Sequence, residues 1–337
     1  MNIEQLINRG AEKYSPYANG LVNHLPMAQL ALYKLTDSIE IAEEYTGYYL
    51  ERTNIDKVKE DYKKVDSIEK CLGKRDLYES CLELIREKLK EEDLDVLVSS
   101  ILNRYILGLS SGLFHTTIRL AYAIEGYRID NGLQKEVERA LAYYVTGYKE
   151  GKLFKKKIPK YEVIEKMSKL IENLDIKEIR ESDMSLGKKL KFFYTNKKFL
   201  ERGFTVKGNE DDKVKSILEL LIPAFYNTNN IVMLHTITGL QAIVTLKDYF
   251  ANFNKAMDIF TTNAIVHILT QKNLDIKKED TKIDKTWEKI IELVLSSKNV
   301  HTIKFLYTSE KLDYLYNIPE LKYASNKRIV NERPSSI

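Results

Sequence analysis

The sequence contains little cysteine and no cysteine motif. Its 337 residues include only Cys71 and Cys81, and neither has a partner at the spacing of a Cys-x-x-Cys pair. A single pair of cysteines does not make the disulfide framework of a small secreted protein. We therefore expect reduced thiols and a cytoplasmic protein.

Charge of one sign and long apolar runs are also missing. The chain has 53 lysines and arginines against 49 aspartates and glutamates, which gives a net charge of +4. This near-balance gives no reason to expect a nucleic-acid or membrane partner. The most apolar segment, residues 231–246, includes a histidine, a glycine and a glutamine. It therefore predicts a buried core helix and not a membrane span.

The sequence motifs of several large enzyme classes are absent. There is no GxGxxG after a predicted strand, no GxxxxGK[ST], no HExxH and no GxSxG. A Rossmann domain that binds flavin or nicotinamide is therefore not predicted. The chain also lacks a Glu-x-x-His pair, which argues against a di-iron site of the ferritin-like type.

What the sequence does contain is helical spacing. Apolar residues recur at steps of three and four in several stretches, among them Leu94, Leu97, Ile101 and Leu102, then Ile217, Leu220, Leu221 and Ala224, and later Trp287, Ile290, Ile291 and Val294. No sustained run alternates in the way that a half-buried strand requires. The pattern predicts an all-α fold, a multi-helix bundle.

We interpret residues 1–337 as one helical domain with a peripheral insert or hinge around residues 151–212. That stretch is rich in lysine and contains Gly187, Gly203 and Gly208. Several prolines are expected near helix ends: Pro26, Pro159, Pro223 and Pro319. The polar tail from Ser325 onward is predicted to be disordered.

The chain has five histidines, and two of them stand out by their neighbours alone. His24 comes just before Pro26, which suits the first turn of a helix, so His24 is expected at a helix entrance. His235 lies in the most apolar segment, one turn before Gly239, where a missing side chain permits a close approach. His267 lies between apolar residues with no other distinctive neighbour, and we assign it to structure.

The two remaining histidines each share a helix face with a cation. In a helix, His115 lies on one face with Arg119 and Tyr122, and burying such a face without partners is costly. Arg119 and Tyr122 are therefore candidates to orient a substrate or to stabilise developing negative charge. His301 shares its face with Lys304, which either is buried or extends its ammonium group to water.

Histidines on separate apolar helices are typical of a metal site in the core of a bundle. The candidate ligands are His24, His115, His235 and His301. Imidazole binds iron, copper, zinc and nickel, so the donor set alone leaves the metal open. The predicted bundle would then enclose a central pocket for metal and substrate.

Four short motifs resemble the questin oxidase-like family, in the family's order and along about the whole chain. They are Gly20-Leu21-Val22-Asn23-His24-Leu25-Pro26-Met27-Ala28, Phe114-His115 through Ile118-Arg119-Leu120-Ala121-Tyr122-Ala123, Leu234-His235-Thr236-Ile237-Thr238-Gly239, and His301-Thr302-Ile303-Lys304. The chain departs from the family at Asn299-Val300, where acidic residues are expected.

The resemblance implies a non-haem iron oxygenase that acts on an aromatic or polyketide-like small molecule with dioxygen. It implies one iron ion (Fe2+ or Fe3+) held by His24, His115, His235 and His301, with Lys304 carboxylated as a further ligand. The reaction would be a monooxygenation or dioxygenation, of Baeyer–Villiger or ring-cleaving type. Whether NAD(P)H serves as reductant is left open by the sequence.

Two other functions are consistent with the same residues. The first is a zinc-type hydrolase or lyase that uses the same ligands. The second is a non-catalytic helical binding protein in which the histidines are structural. The three alternatives differ in whether the protein holds a stoichiometric metal and whether it consumes dioxygen.

Overall fold

Helices account for most of the molecule. The computed structural model describes residues 1–18, 22–283 and 285–332, so Gly20 and Leu21 of the first motif lie outside the described residues. Within these ranges the regular elements are helices and four short strands. The predicted all-α class is confirmed.

The helices in the first half are α1 Ile3–Lys13, α2 Leu25–Thr36, α3 Ile39–Arg52, α4 Ile68–Cys71, α5 Tyr78–Lys88, α6 Leu94–Arg104, α7 His115–Ile129 and α8 Gln134–Thr146. Those that follow are α9 Val163–Glu172, α10 Leu174–Glu181, α11 Leu186–Thr195, α12 Lys197–Arg202, α13 Glu210–Thr228, α14 Ile231–Thr245, α15 Phe253–Leu269, α16 Trp287–Leu295, α17 Val300–Tyr316 and α18 Glu320–Val330. The chain turns between α7 and α8 through a 3-10 turn at Asn131–Leu133.

The strands form two small ribbons that the sequence pattern did not predict. β1 Tyr14–Ala18 pairs antiparallel with β2 Ile55–Lys57, and β3 Lys156–Ile158 pairs parallel with β4 Phe204–Val206. Three to five residues are too few to show an alternation of polar and apolar side chains that can be recognised in the sequence. β1 packs against α1 and α8, and β4 packs against α13 and α15.

The centre of the bundle consists of α2, α7, α14 and α17. α7 packs against α2 and α14, and α17 packs against α2 and α14. α14 is buried at nearly every position from Val232 to Thr245, as predicted for the most apolar segment. In the part of the chain that the structure describes, no helix combines the length and the apolar character needed to cross a bilayer.

The segment 151–212 contains β3, β4 and helices α9 to α12. Its own apolar contacts include Phe154, Phe193 and Phe199, whose rings pack against one another. The Lys157 ammonium group binds the Asp258 carboxylate of α15 at 2.6 Å. This part of the chain is thus attached to the bundle, and its role as a hinge stays a prediction.

Two expectations about helix ends are wrong. Pro223 lies inside α13, which continues for five more residues to Thr228. A proline in a helix removes one backbone donor, and the extensive burial of α13 outweighs this loss. The tail was predicted to be disordered from Ser325, but Ser325 is buried within α18; residues 333–337 lie outside the described part.

Candidate metal centre

The structure brings His24, His115, His235 and His301 together at the centre of the bundle. One ring nitrogen from each lies within 4.8 Å of the other three. The ring centroids of His115 and His235 are 4.3 Å apart, and those of His24 and His301 are 4.8 Å apart. Four nitrogens that each lie about 2.1 Å from one ion are at most about 4.2 Å apart, so only a small inward movement is needed to fit a single metal.

Each of these histidines lies on a different helix, and three of them lie at its start. His24 is the N-cap of α2, His115 is the first residue of α7, and His301 is the second residue of α17. His235 is in the second turn of α14. The N-terminus of a helix carries a partial positive charge from its unpaired N–H groups. The N-termini of α2, α7 and α17 therefore add positive potential at the cluster.

Backbone carbonyls determine which nitrogen of two rings carries the proton. The Nδ1 of His115 donates to the Gly112 carbonyl, and the Nδ1 of His235 donates to the Ile231 carbonyl at 2.8 Å. Because a carbonyl can only accept, each ring has its proton on Nδ1 and a free lone pair on Nε2. The Nε2 of His24 lies 2.9 Å from the Nε2 of His115, whereas the buried Nε2 of His235 has no hydrogen-bond partner.

A strained turn positions the His115 ring. Gly112, Leu113 and Phe114 all have left-handed backbone angles, with φ of 58°, 56° and 63°. For a residue with a side chain this conformation costs about 1–2 kcal/mol. The turn places the Gly112 carbonyl against Nδ1 of His115. Strain of this kind often accumulates where a functional side chain must be held in one orientation.

The expected close approach at Gly239 occurs, and a side chain makes it. A Cβ at position 239 would lie 2.5 Å from the Phe114 ring, so only glycine leaves room for that ring. The Phe114 ring therefore packs one turn after His235 and immediately before His115. Gly239 thus allows close packing between α14 and the start of α7, the two helices that carry the two most buried ligands.

The four imidazoles are held in the neutral form. Burial is the largest cause that lowers the pKa of each ring, and it lowers the pKa of His115 to about 3. A neutral imidazole is the form that binds a metal. Among the described residues, the cluster contains no aspartate or glutamate, so these donors bring no negative charge.

Lys304 is completely buried beside the cluster. Its ammonium nitrogen lies 4.0 Å from the sulfur of Met27, and it forms no ion pair in the described parts of the chain. Burial lowers the pKa of Lys304 to about 7, and the charge of Lys304 in turn lowers the pKa of all four histidines. The alternative in which Lys304 extends to water is excluded.

Arg119 and Tyr122 are buried together, as the shared helix face predicted, but the guanidinium group of Arg119 has a partner in the protein. It binds the Glu136 carboxylate at 2.8 Å. Arg119, Tyr122, Met27 and Glu136 line a cavity of about 10 Å³, and the four histidines are not among its lining residues. This volume is about that of one water molecule. A role for either residue with the substrate stays a prediction.

His267 lies apart from the cluster. It is buried in α15 with its ring 5.2 Å from that of Phe114, and burial lowers its pKa to about 4. It is not part of the group of four histidines that converge. This placement agrees with its assignment to structure, although its effect on function stays a prediction.

A buried polar network joins the three parallel helices α7, α14 and α17, and sequence reasoning missed it. One oxygen of Glu125 accepts from Gln241 at 3.1 Å, from Thr245 at 2.8 Å and from the Lys311 ammonium group, and the other oxygen accepts from Tyr307 at 2.5 Å. Glu125, Thr245 and Lys311 each follow the histidine of their own helix by ten residues. A carboxylate in the middle of an apolar helix was the available signal.

Replacing Glu125 with Gln should destabilise the fold strongly. The NH2 group of the new glutamine would point at side chains that now donate hydrogen bonds to Glu125. The partly buried ammonium group of Lys311 would also lose its anion. Breaking such a pair costs about 3 kcal/mol or more. Glu83→Gln is the matched control, because its partner Lys64 is exposed and surface pairs contribute about 1 kcal/mol or less. Urea unfolding measures both variants, and equal losses would contradict the expectation.

Comparison with known proteins adds no assignment. No protein family matches the chain, and no curated protein is detectably similar to it. The resemblance to the questin oxidase-like family therefore stays a prediction that depends on four short motifs.

Proposed function

We propose that the protein is a metal-dependent oxygenase in which His24, His115, His235 and His301 hold one non-haem iron ion. The observation that supports this most directly is the pair of tautomers fixed by backbone carbonyls. His115 and His235 each carry the Nδ1 proton and keep a lone pair on Nε2; the Nε2 of His115 lies 2.9 Å from that of His24, and the Nε2 of His235 has no hydrogen-bond partner. A buried lone pair without a donor costs free energy, and a cation at this position would satisfy it.

The charge balance of the site favours an anionic ligand in addition to the histidines. Four neutral imidazoles and a dication would leave two positive charges in the protein interior, and the N-termini of α2, α7 and α17 add partial positive charge. Lys304 is the side chain best placed to provide the missing negative charge, as a carbamate formed with carbon dioxide. The amine nitrogen forms a bond to the carbon of carbon dioxide, a proton leaves the nitrogen, and the product is an anionic oxygen donor.

The protein's own residues supply the orientation of the ligands. The Gly112 and Ile231 carbonyls hold two rings in one tautomer, and the Tyr49 hydroxyl accepts a hydrogen bond from the backbone N–H of His24. The Asn299 side chain accepts from the N–H of His301. Bound iron would activate dioxygen, which by itself reacts only slowly with organic molecules. The proposed substrate is an aromatic or polyketide-like molecule.

The lack of a carboxylate in the cluster, among the described residues, favours an oxygenase over the zinc-type alternative. Zinc hydrolases activate water with the help of a carboxylate or another general base near the metal. Among the described residues, no carboxylate belongs to the cluster, and Glu125 is saturated by four donors in its own network. Nitrogen donors and a buried site are compatible with iron and dioxygen.

The free thiols of Cys71 and Cys81 support the proposed cytoplasmic location.

Metal analysis and oxygen uptake test the proposal together. Protein purified without chelator should contain about one iron per chain, lose it to a chelator, and consume dioxygen with an aromatic substrate only when iron is restored. A protein that holds zinc and takes up no oxygen would support the hydrolase alternative. A protein that binds no metal stoichiometrically would support the non-catalytic alternative and contradict the proposal.

A further inference from the structure

The histidine cluster has a closed side and a side that is partly open to solvent. His115 and His235 are buried at 7% and 2% exposure, whereas His24 and His301 are only half-buried. The latter two lie at the N-termini of α2 and α17, His24 as the N-cap and His301 as the second residue, with their rings 4.8 Å apart. A small molecule that reaches the cluster therefore approaches past His24 and His301.

Arg328 lies at this open side. It belongs to the last turn of α18, which packs against α17. Its Nε donates to the Thr302 hydroxyl at 3.0 Å, and its Nη1 donates to the Asn229 side-chain oxygen at 2.9 Å. Thr302 follows His301, and Asn229 lies just before the N-cap of α14. The guanidinium group thus bridges the entrances of two ligand helices.

The positive charge of Arg328 is not neutralised by a direct ion pair. Both of its acceptors are uncharged, and within residues 1–18, 22–283 and 285–332 no carboxylate lies within ion-pair distance of it. The nearest acidic influence is Glu332, whose carboxylate accepts from Ser297. Arg328 lies close to the cluster, because the Thr302 hydroxyl to which it donates belongs to the residue that follows His301. A half-buried cation with neutral partners is well suited to bind an anion.

We propose that Arg328 is a specificity-determining residue that selects an anionic substrate, an aromatic or polyketide-like molecule with a carboxylate or an ionised phenol. The inference rests on the proposed function for the identity of the site, but the preference for negative charge does not require the metal. The helix N-termini beside the cluster add to the same field, and a planar guanidinium group is suited to a carboxylate or a phenolate.

A pair of probes that differ in charge tests this proposal on the metal-free protein. 2-Naphthoate and 2-naphthamide share a ring system, and only the first is an anion. Wild-type protein should bind 2-naphthoate about tenfold more tightly, with an affinity that falls as sodium chloride is added. Arg328→Gln should reduce the affinity for 2-naphthoate about tenfold and change that for 2-naphthamide less than twofold. Arg328→Lys, which keeps the charge, should lie between wild type and Arg328→Gln.

Lys327→Gln is the matched control. It removes one positive charge from the neighbouring residue, which binds Glu279 at 2.9 Å instead of facing the cluster, and it should leave both affinities unchanged within twofold. Equal binding of the two probes to wild type, or equal effects of Arg328→Gln and Lys327→Gln, would overturn the proposal. A wild-type protein that prefers 2-naphthoate but never holds a metal would instead overturn the proposed oxygenase and leave the role of Arg328 standing.

Discussion

Replacing His235 with Asn should reduce metal affinity on the order of a hundredfold or more, because it removes a ligand, and loss of residues that merely support ligands already costs 10- to 100-fold. His235 is the ring whose Nε2 has no protein partner, so its lone pair has no other described function. The metal-free variant should fold normally, since a neutral polar side chain replaces a neutral imidazole. Metal content by elemental analysis and helix content by circular dichroism measure the two effects separately.

His267→Gln is the control for this experiment. His267 is as deeply buried as His235, and in both cases burial lowers the pKa of the ring. It differs in position, because its ring packs against Phe114 and it is not part of the group of converging histidines. Metal content and oxygen uptake should stay close to wild type. If the well-folded His267→Gln protein lost its metal, the wrong histidine would have been excluded from the site.

Local sequence patterns predicted the positions of the ligand helices but not the turn that orients one of the rings. Pro26 correctly placed His24 at a helix entrance, because proline fits the first turn for a reason that involves only its own backbone. The left-handed turn before His115 includes Leu113 and Phe114, which are residue types that rarely adopt it. Such a conformation is imposed by packing, here of the Phe114 ring against Gly239, and local propensity does not show it.

Helix geometry also predicted that Arg119 and Tyr122 are buried, but it did not predict which side chains they contact. Arg119 and Tyr122 lie inside, as the face that they share with His115 required. The anion that binds Arg119 is Glu136, which lies on the next helix. Which carboxylate faces a given helix depends on how α7 and α8 pack, and a single sequence contains no spacing rule for that. The Glu125 network was missed for the same reason, since its members belong to three helices.

Replacing Lys304 with Met should show whether Lys304 serves as a metal ligand or contributes to the stability of the fold. Methionine keeps the length of the side chain and removes an amine that has only a sulfur contact at 4.0 Å. Metal-free protein should therefore become no less stable, because an unpaired polar group leaves the core. Metal affinity should nevertheless fall about tenfold or more, because the anionic oxygen of the carbamate is lost. Added bicarbonate should raise the metal affinity of wild type and have no effect on the variant.

Lys189→Met provides the comparison that distinguishes a ligand from a structural lysine. Lys189 is buried too, but its ammonium group donates to the carbonyls of Arg180 and Thr270. Its loss should destabilise the fold by about 1–3 kcal/mol, because two buried carbonyls lose a donor, and should leave metal content unchanged. We therefore expect Lys304→Met to lower metal affinity but not stability, and Lys189→Met to lower stability but not metal content. If Lys304→Met kept full metal occupancy and activity, Lys304 would not be part of the site. If the intact mass of the metal-loaded protein at neutral pH showed an unmodified Lys304, only the carbamate would be refuted.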